Sequence, residues 1–534
     1  MDNRFLSLIY PSTEKKESAL ISGTAPRISE DVCEELGLSS MLSLKNGRVS
    51  EYFTSDEEVI RYRQKTLSDL IEIPELGEAL GAAIPVLCDI LELRRLSEDM
   101  RDASDTYLYS ITEIELYISA VDLLCERLSA IRDRIKSPAF KSFSDYIFEL
   151  SESEDYRSLS EAVKKLSARV REVRSITVGV NLDAQMRPVS AGVISVNSEK
   201  FKSGRLLDKV LRMSFKNDAL TCIAELTPFG DGESENRREA LVGAFNRAIE
   251  DVFRHSVRDW RRICSDYVLD NTDFLLKILP EIEFVSKCAS LISELTAKGY
   301  DCVVPTVCDK DEKAFSARAL YNPDVALRID ESVVDNDFEF DSDGKIFVLS
   351  GPNRGGKSVI TCAVGLCQAM MQLGMPVPAS EARLSVVDGI FTHFPEGAED
   401  TIDKGRLGEE CARLGEIFDS VTEYSMILLD ESLSSTGAYE ASYIAAEILT
   451  GFAGVGCRGI FSTHLHELAA HIDEINERSE KDGGVKIDTL VAGIEEGRRS
   501  FKIVRKKPDG KSYAKDIANK YGLSYEDIKK KIKR

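Results

Sequence analysis

The stretch from Lys345 to Val359 constrains this chain more than any other. It reads Lys-Ile-Phe-Val-Leu-Ser-Gly-Pro-Asn-Arg-Gly-Gly-Lys-Ser-Val. Ile346 to Leu349 is a short apolar run, as a buried parallel strand has. Gly351, Pro352, Asn353, Arg354, Gly355, Gly356, Lys357 and Ser358 then fit G-x-x-x-x-G-K-[ST] without a mismatch. Lys357 to Leu373 predicts a helix, with Gly365 its one weak point and Gly374 its end. Strand, glycine-rich turn and helix in this order commit the segment to an α/β phosphate-binding domain. Glycines let backbone N–H groups turn inward on phosphate oxygens, and the helix N-terminus adds positive potential. Lys357 would reach the β/γ-phosphates of ATP, and the Ser358 hydroxyl would ligate Mg²⁺.

At 534 residues the chain is too long for one core, and three or four domains are expected. No apolar run approaches transmembrane length, and the opening Met-Asp-Asn-Arg-Phe lacks a signal-peptide layout. A cytoplasmic protein without a membrane partner is the expectation. Twelve cysteines without a C-x-x-C fit a reduced cytosol, with cysteine as a small core residue rather than a zinc ligand. A net charge of −22 argues against a uniformly basic nucleic-acid binder but leaves room for local patches. Lys200, Lys202, Arg205, Lys209, Arg212 and Lys216 stand against Asp208 alone. Fourteen Lys/Arg lie between Arg498 and Arg534 against Asp509, Asp516, Glu526 and Asp527.

Residues 1–55 read as an N-terminal cap or linker, and 56–174 as helical. Helices are expected over Asp56–Leu70, Leu76–Ala83, Pro85–Leu96 and Leu159–Val173. Ile114, Tyr117, Val121, Leu124, Leu128, Ile131 and Ile135 alternate by three and four, an a/d seam on one helix from Thr112 to Lys136 that Pro138 closes. The period then switches. Ile176–Leu182 and Val189–Val196 predict a hairpin, and Thr221–Leu226 a third strand, making 175–232 a β-rich module. Helix returns over 233–299, where Ala244 to Leu279 holds no Gly or Pro and could reach roughly 50 Å. The phosphate-binding domain would occupy 300–505, and 506–534 a C-terminal helical segment.

Met426 to Leu429 is a second apolar run and ends in Asp430-Glu431, 73 residues after Lys357. Asp430 would hold Mg²⁺ through water, and Glu431 would polarise the attacking water. Gly459-Ile-Phe-Ser-Thr-His464 is a third run, and His464 could contact the γ-phosphate. His466 and Glu467 follow, but such a pair alone makes no metal site.

These three motifs, with Phe461-Ser-Thr-His-Leu-His-Glu-Leu468, resemble the ATPase motifs of the MutS DNA mismatch repair family. Gly374-Met-Pro-Val-Pro-Ala379 and Asp388-Gly-Ile-Phe-Thr392 resemble the segment linking them, and Asn336-Asp337 the Asn-Asp pair near the adenine. Lys511 to Ser524 resembles the family's C-terminal dimerisation segment. The resemblance implies a multidomain fold: an α-helical core and lever (56–174 and 233–299), a small β-rich clamp insertion (175–232), then an ABC-like α/β P-loop NTPase. It implies ATP and Mg²⁺ as cofactors and a homodimer with composite sites. Three departures stand out. The family's mismatch-probing Phe-x-Glu domain and its connector are expected to be missing, since no segment of these 534 residues resembles them. Ser432 to Gly437 replaces Gly-Arg-Gly-Thr-Ser-Thr, and Val333 stands where an aromatic stacks on adenine. The expectation is an ATP-gated clamp on mismatched or branched double-stranded DNA, in repair or recombination. The basic run Lys200–Lys216 would grip phosphates, although such runs are often only solvated faces. The rival readings are an ATPase acting on RNA or ribosomes, and a structural ATPase of the cohesin-like class. The latter needs longer coiled coils and a Leu-Ser-Gly-Gly signature.

Overall fold

The computed structural model describes residues 5–21, 26–99, 103–172, 175–186, 188–197, 224–226, 274–352, 354–394, 406–433, 436–465, 468, 471–481, 483–495, 498–507, 524–525 and 528–529. They form a multidomain α/β architecture of helices and three sheets. The chain divides into two units. One comprises Met1–Pro74, Ile135–Lys141 and Pro280–Arg534; the other comprises Glu75–Arg134 and Ser142–Leu279.

The N-terminal segment folds as α1 (Thr13–Leu20), α2 (Glu30–Glu35) and α3 (Leu38–Leu42), followed by α4 (Glu57–Glu72). Ser12, Ser29 and Asp56 cap α1, α2 and α4 by accepting backbone N–H groups, which gives each helix a sharp start. Leu8, Ile9, Val32, Leu36, Leu38 and Leu42 are buried in the first unit. Two buried carboxylates of the helix over 274–297 hold this segment. Glu281 accepts from Ser7 Oγ at 2.7 Å and from the Leu8 N–H at 2.8 Å. Glu283 accepts from the Lys45 N–H at 2.7 Å and Asn46 Nδ2 at 3.0 Å.

Helix α5 (Pro74–Asp99) runs unbroken through Pro85, where the sequence predicts two helices. Leu76, Ala79, Leu80, Ala83, Leu87 and Ile90 are all buried. Burial on both sides of the proline offsets its cost of about 3 kcal/mol in a helix interior. Helix α6 (Ala103–Ser129) carries the seam, with Ile114, Tyr117, Val121, Leu124 and Leu128 fully buried. It stops at Ser129 rather than Lys136. A 3₁₀ turn, Arg132–Arg134, follows, and Ile131 and Ile135 stay buried outside the helix. Pro138 opens α7 (Pro138–Glu152), a helix the sequence pattern does not predict, because proline suits the first helical turn. Next is α8 (Glu154–Glu172). Strands β1 (Ser175–Leu182) and β2 (Pro188–Asn197) form the expected antiparallel hairpin, and β3 (Ala224–Leu226) pairs with β2. The basic run Lys200–Lys216 and the long stretch 227–273 lie outside the described residues.

The remaining strands belong to the first unit. They are β4 (Thr306–Cys308), β5 (Phe315–Leu320), β6 (Asn336–Phe340), β7 (Ile346–Ser350), β8 (Glu381–Ser385), β9 (Ile390–His393), β10 (Met426–Asp430), β11 (Arg458–Ser462), β12 (Ile487–Glu495) and β13 (Arg498–Arg505). The six-stranded sheet has the order β13-β12-β7-β11-β10-β9, parallel throughout except β13. A four-stranded mixed sheet has the order β4-β8-β5-β6. Every residue of β7, β10 and β11 is buried, as expected of parallel strands covered on both faces. Ile427 and Leu429 of β10 pack with the helices Ala438–Val455 and Ile472–Lys481. Leu428, pointing the other way, meets the helix Lys357–Gln372 at Gly365, where a Cβ would lie 2.5 Å from Leu428 Cδ1 and 2.9 Å from Leu36 Cδ2. The weak point of that helix is therefore a close-packing site. Among the described residues no helix is long and apolar enough to cross a membrane.

Candidate functional site

Three neighbouring strands, β7, β11 and β10, end side by side, with Leu349 in register with Ser462 and Ser462 with Asp430. Each carboxyl end delivers one motif to the same place, where open α/β sheets gather ligands. After β7 the turn takes left-handed backbone at Gly351 (φ +147°), Arg354 (φ +59°) and Gly356 (φ +90°). Gly356 is the N-cap residue of the Lys357–Gln372 helix, a position where only glycine takes this conformation without strain. Asn353 lies outside the described residues, and Arg354 is exposed.

Lys357 is 4% exposed and folds back over the turn. Its Nζ donates to the carbonyls of Gly351 and Pro352 at 3.3 Å each and lies 3.4 Å from His464 Nε2. Burial holds the ammonium below its ordinary range, and the Glu431 and Asp430 carboxylates oppose that shift. His464 Nε2 is 2.6 Å from Glu431 Oε1. Lys357, His464 and Glu431 thus form one connected cluster drawn from three separate motifs. Asp430 is 6% exposed, and its Oδ1 has no hydrogen-bond partner among the described residues. A buried carboxylate oxygen with no partner among the described residues could hold a cation or its bound water.

A cavity of about 420 Å³ opens at this cluster. Gly355, Gly356, Lys357, Ser358 and Glu431 form its polar end. Ile329, Val333, Val334 and Phe501 line its apolar part. Asn336 reaches the cavity, but its amide also tethers β13: Nδ2 donates to the Phe501 carbonyl at 3.3 Å, and Oδ1 accepts from the Ile503 N–H at 2.7 Å. No sequence motif marks Phe501. It is 45% exposed and its backbone is left-handed (φ +57°), which turns it out of the strand pattern. The signal available is an aromatic within the otherwise basic and polar run Arg498–Lys502. His393, equally unmarked, is buried at the end of β9 beside Ser432. Lys200, Lys202, Arg205, Lys209, Arg212 and Lys216, like His466 and Glu467, lie outside the described residues.

Two family models match the chain: MutS domain V over residues 347–530 and MutS2 N-terminal domain over residues 55–298. The probable DNA mismatch repair protein Msh6 of Drosophila melanogaster is 36% identical over 239 residues, covering 44% of this chain and 18% of that protein. The DNA mismatch repair protein Msh3 of Homo sapiens is 26% identical over 379 residues, 68% of this chain and 30% of that protein. The DNA mismatch repair protein MutS of Thermotoga neapolitana is 28% identical over 359 residues, 66% of this chain and 41% of that protein. The matched stretches span less than half the length of each of these relatives.

Proposed function

The chain belongs to the MutS family, and from that premise we propose that it is an ATP-hydrolysing, DNA-binding protein that works as a dimeric clamp. The observation that carries the ATPase reading is the meeting of Lys357, His464 and Glu431, two of which, Lys357 and Glu431, line the 420 Å³ cavity. The turn 351–356 and Lys357 would hold the phosphates. Ser358 and Asp430 would hold Mg²⁺, and the unpaired Asp430 Oδ1 fits that use. Mg²⁺ held there would supply charge neutralisation for the phosphates. Glu431 would orient the attacking water. With His464 at 2.6 Å, the Glu431 carboxylate is already engaged. A γ-phosphate would draw both His464 and Lys357 toward itself and free Glu431 for water. The purine base would lie against Phe501 and the apolar wall at Val333, so the aromatic face would come from β13 rather than from residue 333.

Two copies would complete each other's sites, with 506–534 as the docking segment. The helical segments 56–174 and 233–299 would serve as core and lever, and 175–232 as the clamp. Mismatched or branched duplex DNA, gripped at phosphates by Lys200–Lys216, is the ligand in this reading. The relatives' description as DNA mismatch repair proteins supports it.

The test is hydrolysis and binding on the purified chain. Lys357→Ala should lose nucleotide binding. Glu431→Gln should bind ATP and fail to turn it over, because it leaves the phosphate contacts intact and removes only the group that orients water. Equal turnover by wild type and Glu431→Gln would end the catalytic assignment. A panel of homoduplex, mismatched and branched DNA, RNA and ribosomes, with and without ATP, should favour structured duplex DNA. Preference for RNA or ribosomes would replace the DNA reading.

A further inference from the structure

We propose that His393 is a positioning residue for hydrolysis: through Ser432 it holds the turn that aims Glu431 at the nucleotide cavity. The inference rests on the ATPase reading above. Glu431, Ser432 and Leu433 leave β10 in a turn whose first and third residues are left-handed, with φ +48° at Glu431 and +65° at Leu433. Non-glycine residues stay in that region only where their surroundings hold them. Beside the contact of the Glu431 carboxylate with His464, three contacts among the described residues anchor the turn. The Glu431 N–H donates to the Ser462 carbonyl at 2.8 Å. The Leu433 side chain is fully buried in the core beside β7 and β10. Between them, Ser432 Oγ is 2.8 Å from His393 Nδ1 and 3.4 Å from the His393 carbonyl oxygen. With the single hydroxyl proton directed at that carbonyl, the tautomer that satisfies both contacts carries its hydrogen on Nδ1 and donates it to the hydroxyl.

His393 sits in register with Leu429, one residue before Asp430, so the ring is fixed by the same sheet that carries the acids. Both His393 and Ser432 are more than nine-tenths buried. Burial first, and the Arg413 charge second, push the imidazole down to about 4, which keeps it neutral and leaves Nδ1 to the serine. His393 does not line the cavity, so any effect on chemistry must pass through the turn.

The experiment is steady-state ATP hydrolysis by the full chain. His393→Gln shifts the amide beyond Ser432, and Ser432→Ala removes the hydroxyl. Each should lower kcat by about ten- to a hundredfold, the scale of a misplaced catalytic group. KM for ATP should stay within about twofold, because the phosphate contacts are untouched. His393→Asn, which keeps a donor where Nδ1 stands, and Ser432→Thr should recover most of kcat. In the Glu431→Gln background His393→Gln should leave the residual single-turnover rate unchanged, since both changes act on one group. Unchanged kcat in His393→Gln, a loss that multiplies onto Glu431→Gln, or equal losses from Asn and Gln would overturn the inference. A wild-type chain that does not hydrolyse ATP would remove the ATPase reading, and this inference with it. A wild type that hydrolyses ATP no faster than His393→Gln removes this inference alone.

Discussion

Phe501 presents a half-exposed ring to the cavity from a left-handed backbone position, next to the apolar wall of Ile329, Val333 and Val334. Tyr321, the other aromatic among the described lining residues, is buried. Stacking of a base on an aromatic ring contributes about 1–3 kcal/mol, so Phe501→Ala should raise KM for ATP by roughly 5- to 150-fold. The change in kcat should be small, because the ring, which lies against the turn at Gly356, carries neither charge nor a transferable proton for the hydrolysis step. Phe501→Trp should keep the affinity. Titration with a fluorescent ATP analogue measures both, and tight binding by Phe501→Ala would remove the ring from the site. The residues around this cavity differ in how they announce themselves. Lys357, Glu431 and His464 each follow an apolar strand within a motif of fixed spacing, so their chemistry is legible from the chain alone. Phe501 and His393 carry no such local mark. Their positions follow from the order β13-β12-β7 and β10-β9 in the sheet, which the sequence does not spell out.

At the scale of elements, α4 shows how the N-terminal segment is fastened. Arg63 is fully buried, its Nε donates to the Ile9 carbonyl at 3.1 Å, and its guanidinium also donates to the Tyr52 carbonyl. The group lies 5.2 Å from the Tyr10 ring centroid and 5.9 Å from that of Phe284. Arg63→Ala would strand two buried carbonyls and open a cavity, a loss of about 3–5 kcal/mol. Arg63→Lys should recover little, because an ammonium cannot reach two carbonyls in a fork and stack as a plane. Urea unfolding of the two variants measures this, and a loss under about 1 kcal/mol for Arg63→Ala would show that burial of Leu8 and Ile9 suffices. None of this is visible locally. Ser7 and Glu281, like Lys45 and Glu283, are joined across more than two hundred residues of chain. The parallel strands, by contrast, read directly as apolar runs, because burial on both faces leaves no polar alternation. Helix ends fall between these cases. The seam on α6 is legible, but its stop at Ser129 and the passage of α5 through Pro85 follow from tertiary burial that overrides local propensity.

At the scale of the whole molecule, a net charge of −22 repels a duplex, so any affinity for DNA must come from local positive runs. Two such runs exist, Lys200–Lys216 and Arg498–Arg534. The first falls in the chain between β2, ending at Asn197, and β3, starting at Ala224, within the segment proposed above as the clamp. Lysine and arginine on phosphates position a duplex without reading its bases. Replacing Lys200, Lys202 and Arg205 with Glu should therefore weaken binding to a similar degree on homoduplex, mismatched and branched ligands. It should also flatten the dependence of affinity on salt, by up to about one log–log unit for each phosphate no longer neutralised by the protein. ATP hydrolysis without DNA should be unchanged, since none of the three positions belongs to a nucleotide-binding motif. The measurement is fluorescence anisotropy across a salt series, paired with hydrolysis assays of the same preparation. A triple variant that binds every ligand with the wild-type affinity and salt slope would move the grip away from this run. The second run, Arg498–Arg534, would then be the remaining concentration of positive charge able to hold a duplex.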